Sequence, residues 1–345
     1  MYDIVGDIHG HAVELKKLLA KMGYQSDGYA YQHPSRKIVF VGDFIDRGPD
    51  NLGAIQIAKA TVEAGNGFAV MGNHEYNAIA YHTSKEAGGY FREHSKKNYK
   101  QHEAVVKQLS CYQVCEANDW FRTLPVALEL DGINVVHASW QPADIQTINR
   151  YIESHGKFIG SFLVESESKG SELNLAIERV LKGPEVQLRD GMSFKDKAGH
   201  ERHRARVKWW KPQSTDELFD YALEVKDENF TISREDVSGI ESYPDKAKPL
   251  FFGHYCWMAI QGLWLPMRPV STTASLKTEN YALIAGTARN RSMQRNLSGY
   301  QQRFNAFQGY RLPLFKMPIN KTSHTFLQPS SKSILEGFSD GTLSR

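Results

Sequence analysis

The 345-residue sequence contains few cysteines and no long hydrophobic run. Three cysteines occur, at positions 111, 115 and 256, which argues against a disulfide framework and favours a reducing, cytoplasmic location. No stretch approaches the ~20 apolar residues that a membrane-spanning helix requires, and the strand-like residues 1–6 do not have the pattern of a signal peptide. With 41% hydrophobic and 23% charged residues, the composition is typical of a globular protein with a packed core.

The sequence also has little net charge. Lys and Arg total 42 against 39 Asp and Glu, a balance of +3. Residues 256–345 carry 11 basic and 3 acidic side chains, whereas residues 1–255 carry 31 and 36. The basic excess therefore lies in the last quarter of the chain, and charge gives no support for nucleic acid as a partner.

Short apolar runs alternate with helical patterns over the first 140 residues. The patterns predict strands at residues 2–5, 37–41, 68–71, 133–136 and 250–252, and helices at residues 13–22, 51–64 and from about 74. This rhythm predicts an α/β fold with helices on both faces of a sheet. Residues 151–182 are helical in pattern and residues 184–211 are polar and basic, so we expect an inserted cap at about 145–245 over the carboxyl edge of the sheet.

Each predicted strand ends in side chains of the kind that bind metal ions. The sequences are GDIHG at 6–10, GDFIDRG at 42–48, GNHE at 72–75, a histidine at 137 and GH at 253–254. Because ligands bind beyond the carboxyl ends of strands in open α/β sheets, these side chains are expected at one edge. Carboxylates mixed with imidazoles suit Mn, Fe, Zn or Ni better than Ca or Mg.

In this order the motifs resemble those of the calcineurin-like metallophosphoesterases. They are most similar to the phosphoprotein-phosphatase type, which includes bacterial serine/threonine phosphatases and symmetrical diadenosine tetraphosphatases. The resemblance spans residues 3–255 and implies a two-sheet β-sandwich flanked by helices. It also implies two divalent metal ions, with Mn²⁺ preferred and Fe, Zn or Ni as alternatives.

The resemblance implies a role for each matching residue. Asp7 and His9 would bind the first metal, Asp43 would bridge both metals, and Asn73, His137 and His254 would complete the second. His74 would protonate the leaving oxygen, Asp46 would orient its imidazole, and Arg47 would bind the phosphate. The implied reaction is direct attack by a metal-bridging hydroxide without a covalent phosphoenzyme.

Several other residues are open to more than one interpretation. Arg202, Arg204 and Arg206 are candidates for a second phosphate ligand, although a solvated basic loop explains them equally well. Cys111 and Cys115, one helical turn apart without a second ligand pair, are interpreted as ordinary packing residues rather than a zinc site. His200 and His203 are interpreted in the same way.

The family pattern ends at Tyr255, where two further strands resembling ACLDYSV and KLxAYRW would follow. Residues 256–345 show little strand alternation. Codons for residues 267–286 can be chosen so that, read one base earlier, they encode NAACLDYSVA followed by KDGKLCAYRW. The same shifted frame continues to a stop codon that overlaps residues 304–305. When one G is deleted from codons that encode Tyr-Trp-Leu-Asp-Gly, the remaining bases encode residues 255–259 of this sequence. We therefore expect a single-base frameshift after Tyr255, with residues 256–304 out of frame and 305–345 a read-through, disordered tail.

Three function classes remain open from the sequence. The first is a metal-dependent phosphoesterase. It would act on phosphoproteins or phosphopeptides, as a serine/threonine phosphatase does, or alternatively on dinucleoside polyphosphates, as a symmetrical dinucleoside tetraphosphate hydrolase does. The second is an inactive product of the frameshift, and the third and least favoured is a nucleic-acid phosphodiesterase. No membrane partner is expected.

Overall fold

The computed structural model describes residues 1–188, 192–195, 201–210, 222–223, 232, 237–244, 246–255, 270–271 and 286–288. The helices are α1 (Ala12–Lys21), α2 (Asn51–Glu63), α3 (Asn73–His82), α4 (Lys96–Gln108), α5 (Cys111–Thr123), α6 (Pro142–His155), α7 (Gly160–Glu167) and α8 (Glu172–Lys182). The strands up to the cap are β1 (Tyr2–Val5), β2 (Gln25–Ser26), β3 (Tyr31–Gln32), β4 (Lys37–Phe40), β5 (Gly67–Ala69), β6 (Ala127–Leu130) and β7 (Ile133–Val136). The later strands are β8 (Glu185–Gln187), β9 (Phe194–Lys195), β10 (Glu201–Arg202), β11 (Arg204–Val207), β12 (Ala222–Leu223), β13 (Leu250–Phe252), β14 (Val270–Ser271) and β15 (Gly286–Ala288). The elements predicted before residue 140 all occur, with bounds that differ by at most two residues.

Two four-stranded sheets organise the molecule. The first has the order β15-β1-β4-β5, in which β1, β4 and β5 are parallel and β15 is antiparallel to β1. The second has the order β14-β13-β7-β6, in which β6 is antiparallel to β7 and the other pairs are parallel. Within each sheet, the carboxyl ends of the parallel strands therefore lie at the same edge.

Both faces of each sheet are buried, because successive side chains along a strand pack on opposite sides of the sheet. Val39 and Val41 join Ile133, Val135 and Phe251 of the second sheet in one buried cluster between the sheets. The intervening side chains, among them Ile38 and Phe40, belong to a second cluster with Leu15, Leu19 and Ile57 of the helices. Because successive side chains of a strand point to opposite faces, each sheet packs against the other sheet on one side and against helices on the other.

This arrangement corrects one expectation and confirms another. The strand-helix rhythm predicted helices on both faces of one sheet, and this is wrong because one face of each sheet contacts the other sheet. The two-sheet sandwich that the resemblance implied is confirmed. In α1, Leu15 and Leu19 are buried, whereas Val13 is 50% exposed.

Helix α8, within the segment predicted to form a cap, lies beside the carboxyl end of β7. The amides of Ala138 and Ser139, which follow that strand, both donate to the carbonyl of Val180 in α8. The expected helical part is present as α6, α7 and α8, but the polar stretch also contains strands, since β8, β11 and β12 form a three-stranded sheet. Trp209 at the end of this sheet donates to the hydroxyl of Tyr255, 3.1 Å away, and packs against Phe252.

Few residues after Tyr255 are described. The sequence shows little strand character there, but two short strands occur: β14 pairs with β13 over two residues and β15 pairs with β1 over three. The remainder of the predicted out-of-frame segment and the whole of the predicted tail at 305–345 lie outside the described residues. Within the described part of the chain, no helix is long and apolar enough to cross a membrane.

Candidate active site

The predicted metal ligands follow the carboxyl ends of five strands. Asp7 follows β1, Asp43 follows β4, Asn73 follows β5, His137 follows β7 and His254 follows β13. The two sheets therefore bring to one edge residues that are up to 247 positions apart, since the amide of His254 donates to both carboxylate oxygens of Asp7 at 3.2 Å.

The backbone at these strand ends adopts a conformation that side chains other than glycine rarely take. His9, Asp43 and His254 have φ values of 47°, 54° and 69°. Asp46 and Arg47 have values of 72° and 66°. Such backbone costs energy and persists where surrounding contacts enforce it, which is commonly at functional sites.

Glycines at the same turns allow very close approach of the ligands. A Cβ atom on Gly72 would lie 2.3 Å from Asp43 Oδ1 and 2.4 Å from the Asp43 amide nitrogen. One on Gly253 would lie 2.3 Å from Asp7 Oδ1. A side chain at either position would displace a predicted ligand, which explains physically why glycine is needed there.

Asp43 lies between two groups of potential ligands. Its Oδ2 is 3.7 Å from His9 Nε2, and its Oδ1 is 3.4 Å from His137 Nε2. Ligand atoms of His9, Asp43 and His74 lie within 4.8 Å of one another, and so do those of Asp43, His137 and His254. Asp43 thus belongs to both groups, as a bridging ligand would.

The histidines are oriented by hydrogen bonds on the ring nitrogen that faces away from the centre. His9 Nδ1 donates to the carbonyl of Ile45 at 2.9 Å, and His137 Nδ1 donates to the carbonyl of Val41 at 2.6 Å. Each Nε2 is thereby directed towards Asp43. Bonds of this kind fix the tautomer and direction of metal-binding imidazoles.

Asn73 joins the second group. Its Oδ1 lies 2.8 Å from His254 Nδ1 and 3.2 Å from His137 Nε2. Among the described residues, the other ring nitrogen of His254, Nε2, is buried without a hydrogen-bond partner. Asn73, His137 and His254 therefore converge as predicted, and Asp7 lies next to them through His254.

The electrostatics of the centre favour a cation. Burial raises the pKa of Asp7 to about 6, and the charge of Asp43 adds to this effect. Burial alone would lower the pKa of His137, but Asp43 and Asp7 raise it to about 9. The centre therefore has an excess of negative charge that a proton on His137 offsets. A divalent cation, which binds neutral imidazole and ionised carboxylate, fits this donor set and would replace that proton.

His74 and Asp46 form a close pair beside Asp43. His74 Nδ1 lies 2.5 Å from Asp46 Oδ2, and His74 Nε2 is 3.9 Å from Asp43 Oδ2. Burial alone would lower the pKa of His74, but Asp43 and Asp46 raise it above its usual value. Arg47 is exposed, and its Nη2 lies 3.5 Å from His74 Nε2. The three predicted catalytic side chains are thus adjacent.

Three buried residues that support the site were not identified from sequence. Glu75 accepts the amides of Asp43 at 2.8 Å, Phe44 at 2.8 Å and Gly72 at 3.0 Å. Asn51 accepts the amide of Asp46 at 2.7 Å. Glu75 lies within the GNHE motif and could have been found from it, whereas Asn51 has no local signal.

The third is His102 of α4, whose Nδ1 lies 2.7 Å from Asp46 Oδ1. It is 20 residues beyond the last residue of α3, in a polar helix with no motif, so nothing in its sequence surroundings indicates a link to the site.

The remaining candidates lie away from the metal ligands or at the edge of the site. Arg206 is half-buried, and its charge, after burial, helps to lower the pKa of His254. Arg202, Arg204 and His203 are exposed, and His200 lies outside the described residues.

The interpretation of the cysteines was wrong in one respect. Cys111 and Cys115 are free and exposed on α5 rather than packed, because both face away from the buried side of that helix.

Comparison with known proteins identifies the family. A family model described as calcineurin-like phosphoesterase matches residues 2–246. The chain therefore belongs to the calcineurin-like phosphoesterase family.

Similar individual proteins match over shorter segments or at lower identity. An asymmetrical bis(5'-nucleosyl)-tetraphosphatase PrpE from Oceanobacillus iheyensis is 47% identical over 73 residues, which are 21% of this chain and 29% of that protein. A PrpE from a Geobacillus species is 45% identical over 73 residues, which are 21% and 30% of the two chains. The chain thus spans less than a third of these relatives. The structure of a cold-active protein-tyrosine phosphatase from a psychrophilic Shewanella species matches 76% of this chain and 68% of that one, at 15% identity and a TM-score of 0.37.

Proposed function

We propose that the protein is a metal-dependent phosphoesterase whose active site is centred on Asp43. The observation that carries the proposal is that Asp43 is shared by two groups of potential ligands, and that His74 of the first group also pairs with Asp46. Neither feature alone implies phosphoryl transfer, but together they supply a bimetal centre and a proton donor.

Two divalent cations, Mn²⁺ by preference, would be held by this chain's own ligands. The first would bind Asp7, His9 and Asp43, and the second would bind Asp43, Asn73, His137 and His254. When bound, such a pair neutralises phosphoryl charge and makes a nucleophile of water near neutral pH.

The catalytic side chains bind the substrate and move one proton. Arg47, at the exposed side of the pair, binds phosphate oxygens through its planar guanidinium. His74 donates the proton on Nε2 to the leaving oxygen, and Asp46 holds the opposite nitrogen so that the ring keeps its direction. Arg206 of the cap is the best placed of the three cap arginines to act as a second phosphate ligand.

Dinucleoside tetraphosphates are the first candidate substrates. The sequence motifs alone placed serine/threonine phosphoproteins first and a symmetrical dinucleoside tetraphosphate hydrolase second. The curated relatives are named as asymmetrical bis(5'-nucleosyl)-tetraphosphatases, which supports the substrate class of the second interpretation but not the symmetrical cleavage. Phosphoproteins and phosphopeptides remain the second candidate, because the motifs are equally similar to those of protein phosphatases.

A substrate panel tests the proposal. We expect Mn²⁺-dependent hydrolysis of p-nitrophenyl phosphate that EDTA abolishes and that His74→Asn lowers by ~10²-fold or more, the contribution typical of a general acid. Diadenosine tetraphosphate should be hydrolysed faster than a phosphoserine peptide. Metal-independent hydrolysis, or full activity of His74→Asn, would contradict the proposed site.

We also propose that the reading frame shifts after Tyr255. All predicted metal ligands precede this point, so the frameshift leaves the site intact but removes the strands expected to follow it. In support, the strands found there pair over only two and three residues. An unbroken natural gene that encodes Cys256 and the residues after it would refute this, and the inactive product would then no longer be an alternative.

A further inference from the structure

Asp46 contacts a second histidine on the side away from the metal centre. While Oδ2 bonds to His74, Oδ1 lies 2.7 Å from Nδ1 of His102. Asp46 and His102 are only 3% and 5% exposed. Burial alone would raise the pKa of Asp46, but the hydrogen bonds from His102 and His74 lower it to about 2. His102 therefore helps to keep Asp46 ionised although it is buried.

The hydrogen bonds continue beyond His102. Its Nε2 lies 3.0 Å from Nε2 of His82. An ionised carboxylate only accepts, so His102 Nδ1 donates to Asp46 Oδ1. Burial, followed by the charges of His102 and His94, lowers the pKa of His82 to about 4, so His82 is neutral and one proton lies between the two Nε2 atoms.

Mostly apolar side chains, together with Asn118 and His82, line a small cavity beside the ring of His102. The cavity has a volume of about 10 Å³, and its apolar lining includes Ile45, Ile55, Val105 and Phe121. This volume leaves room for about one water at most. In such surroundings a hydrogen bond to a charged group is strong, and loss of its donor leaves a carboxylate oxygen unsatisfied at a cost.

We propose that His102 is a positioning residue for the proton donor, acting through Asp46 on His74. This inference rests on the proposed phosphoesterase function. His102 transfers no proton itself: its Nδ1 stays bonded to Asp46, which stays ionised and keeps the His74 ring directed at the leaving oxygen. The proton that leaves the protein is the one on His74 Nε2.

The leaving group of the substrate distinguishes this role from a structural one. A basic leaving oxygen needs the proton from His74, whereas a weakly basic one departs without it. In His102→Leu we expect kcat/KM for phenyl phosphate to fall about 10–100-fold, the range for loss of a residue that orients a functional side chain. For 2,4-dinitrophenyl phosphate the fall should be under about threefold. His102→Asn, whose amide nitrogen can replace Nδ1 as the donor, should recover most of the loss, and His94→Leu is the matched control.

The outcomes separate this inference from the proposed function. Equal losses on both esters, no loss, or a His102→Asn variant as impaired as His102→Leu would overturn the role of His102 while leaving the phosphoesterase intact. A parent protein that hydrolyses neither ester would overturn both. The kinetics are measured on the full chain and on its frame-restored form, which share residues 1–255.

A second readout needs neither metal nor activity and uses the full chain. In metal-free protein, the Asp46-bonded Nδ1 protons of His74 and His102 should give two strongly deshielded imidazole resonances. His102→Leu should remove one and shift the other, and His94→Leu should change neither. An unshifted His74 resonance would contradict coupling through Asp46.

Discussion

At the scale of single residues, the site depends on side chains that bind the backbone as much as on those that would bind metal. Glu75 is fully buried and accepts three amides from the turns that carry Asp43 and Gly72. These turns include residues with positive φ, such as Asp43 at 54°. A buried carboxylate with three donors is well suited to hold strained turns in place.

Replacement of Glu75 by Gln should therefore destabilise the protein without removing a metal ligand. One carboxylate oxygen is lost as an acceptor and an amide group is left facing backbone donors, which should lower the free energy of unfolding by about 2 kcal/mol. Urea denaturation followed by fluorescence measures this. Glu86→Gln, at an exposed position, is the control and should leave the midpoint unchanged. Equal midpoints for the two variants would show that Glu75 does not hold the turns.

At the scale of elements, sequence and structure agree best where a motif is local to one strand end. The six predicted ligands each lie within four residues of the end of a strand, so the parallel strand order was enough to predict that they meet. His102 and Asn51 could not be found in this way, because they reach the site from helices that pack there only in the folded chain. The cap strands β8, β11 and β12 were missed because their polar sequence has no period-two pattern strong enough to predict a strand.

The turn between β5 and α3 gives a prediction at this scale. Gly72→Ala should lower the free energy of unfolding by about 2–3 kcal/mol, since its Cβ would lie 2.4 Å from the Asp43 amide and backbone cannot easily move away. It should also weaken Mn²⁺ binding, because Asp43 Oδ1 is displaced. Gly160→Ala, where nothing lies within 4 Å of the added Cβ, serves as the comparison. Chemical denaturation and Mn²⁺ titration of both variants measure the effects, and similar behaviour of the two would refute the close-approach explanation.

At the scale of the whole molecule, the sandwich could be anticipated only by resemblance. The contacts between the sheets join Val39 and Val41 to Ile133, Val135 and Phe251, and no local pattern encodes contacts so distant in sequence. An unbroken apolar run shows that both faces of a strand are buried, but not whether a helix or a second sheet covers each face. For this reason the alternation of strand and helix patterns predicted the strands correctly but not the packing of one sheet on the other.

The proposed frameshift has a consequence for the stability of the whole chain. Restoring one G after Tyr255 replaces the residues from 256 onwards with the family pattern and should extend the strands that flank β13 and β1. We expect the restored protein to melt cooperatively and the present chain to melt roughly 10 °C lower, since shortened sheet edges cost several kcal/mol of a total of only ~5–15 kcal/mol. Scanning calorimetry of the two proteins measures this. A present chain that melts as cooperatively and at the same temperature would contradict the frameshift.

Counting bound Mn²⁺ per chain by mass spectrometry after equilibrium dialysis tests whether Asp43 bridges two metal ions. We expect about two ions for the frame-restored protein, and fewer than one for Asp43→Asn, because both ligand groups lose the carboxylate that they share. Asp50→Asn, outside both groups, should still bind about two. A count near zero in the parent, or two ions retained in Asp43→Asn, would show that Asp43 does not bridge two metal ions.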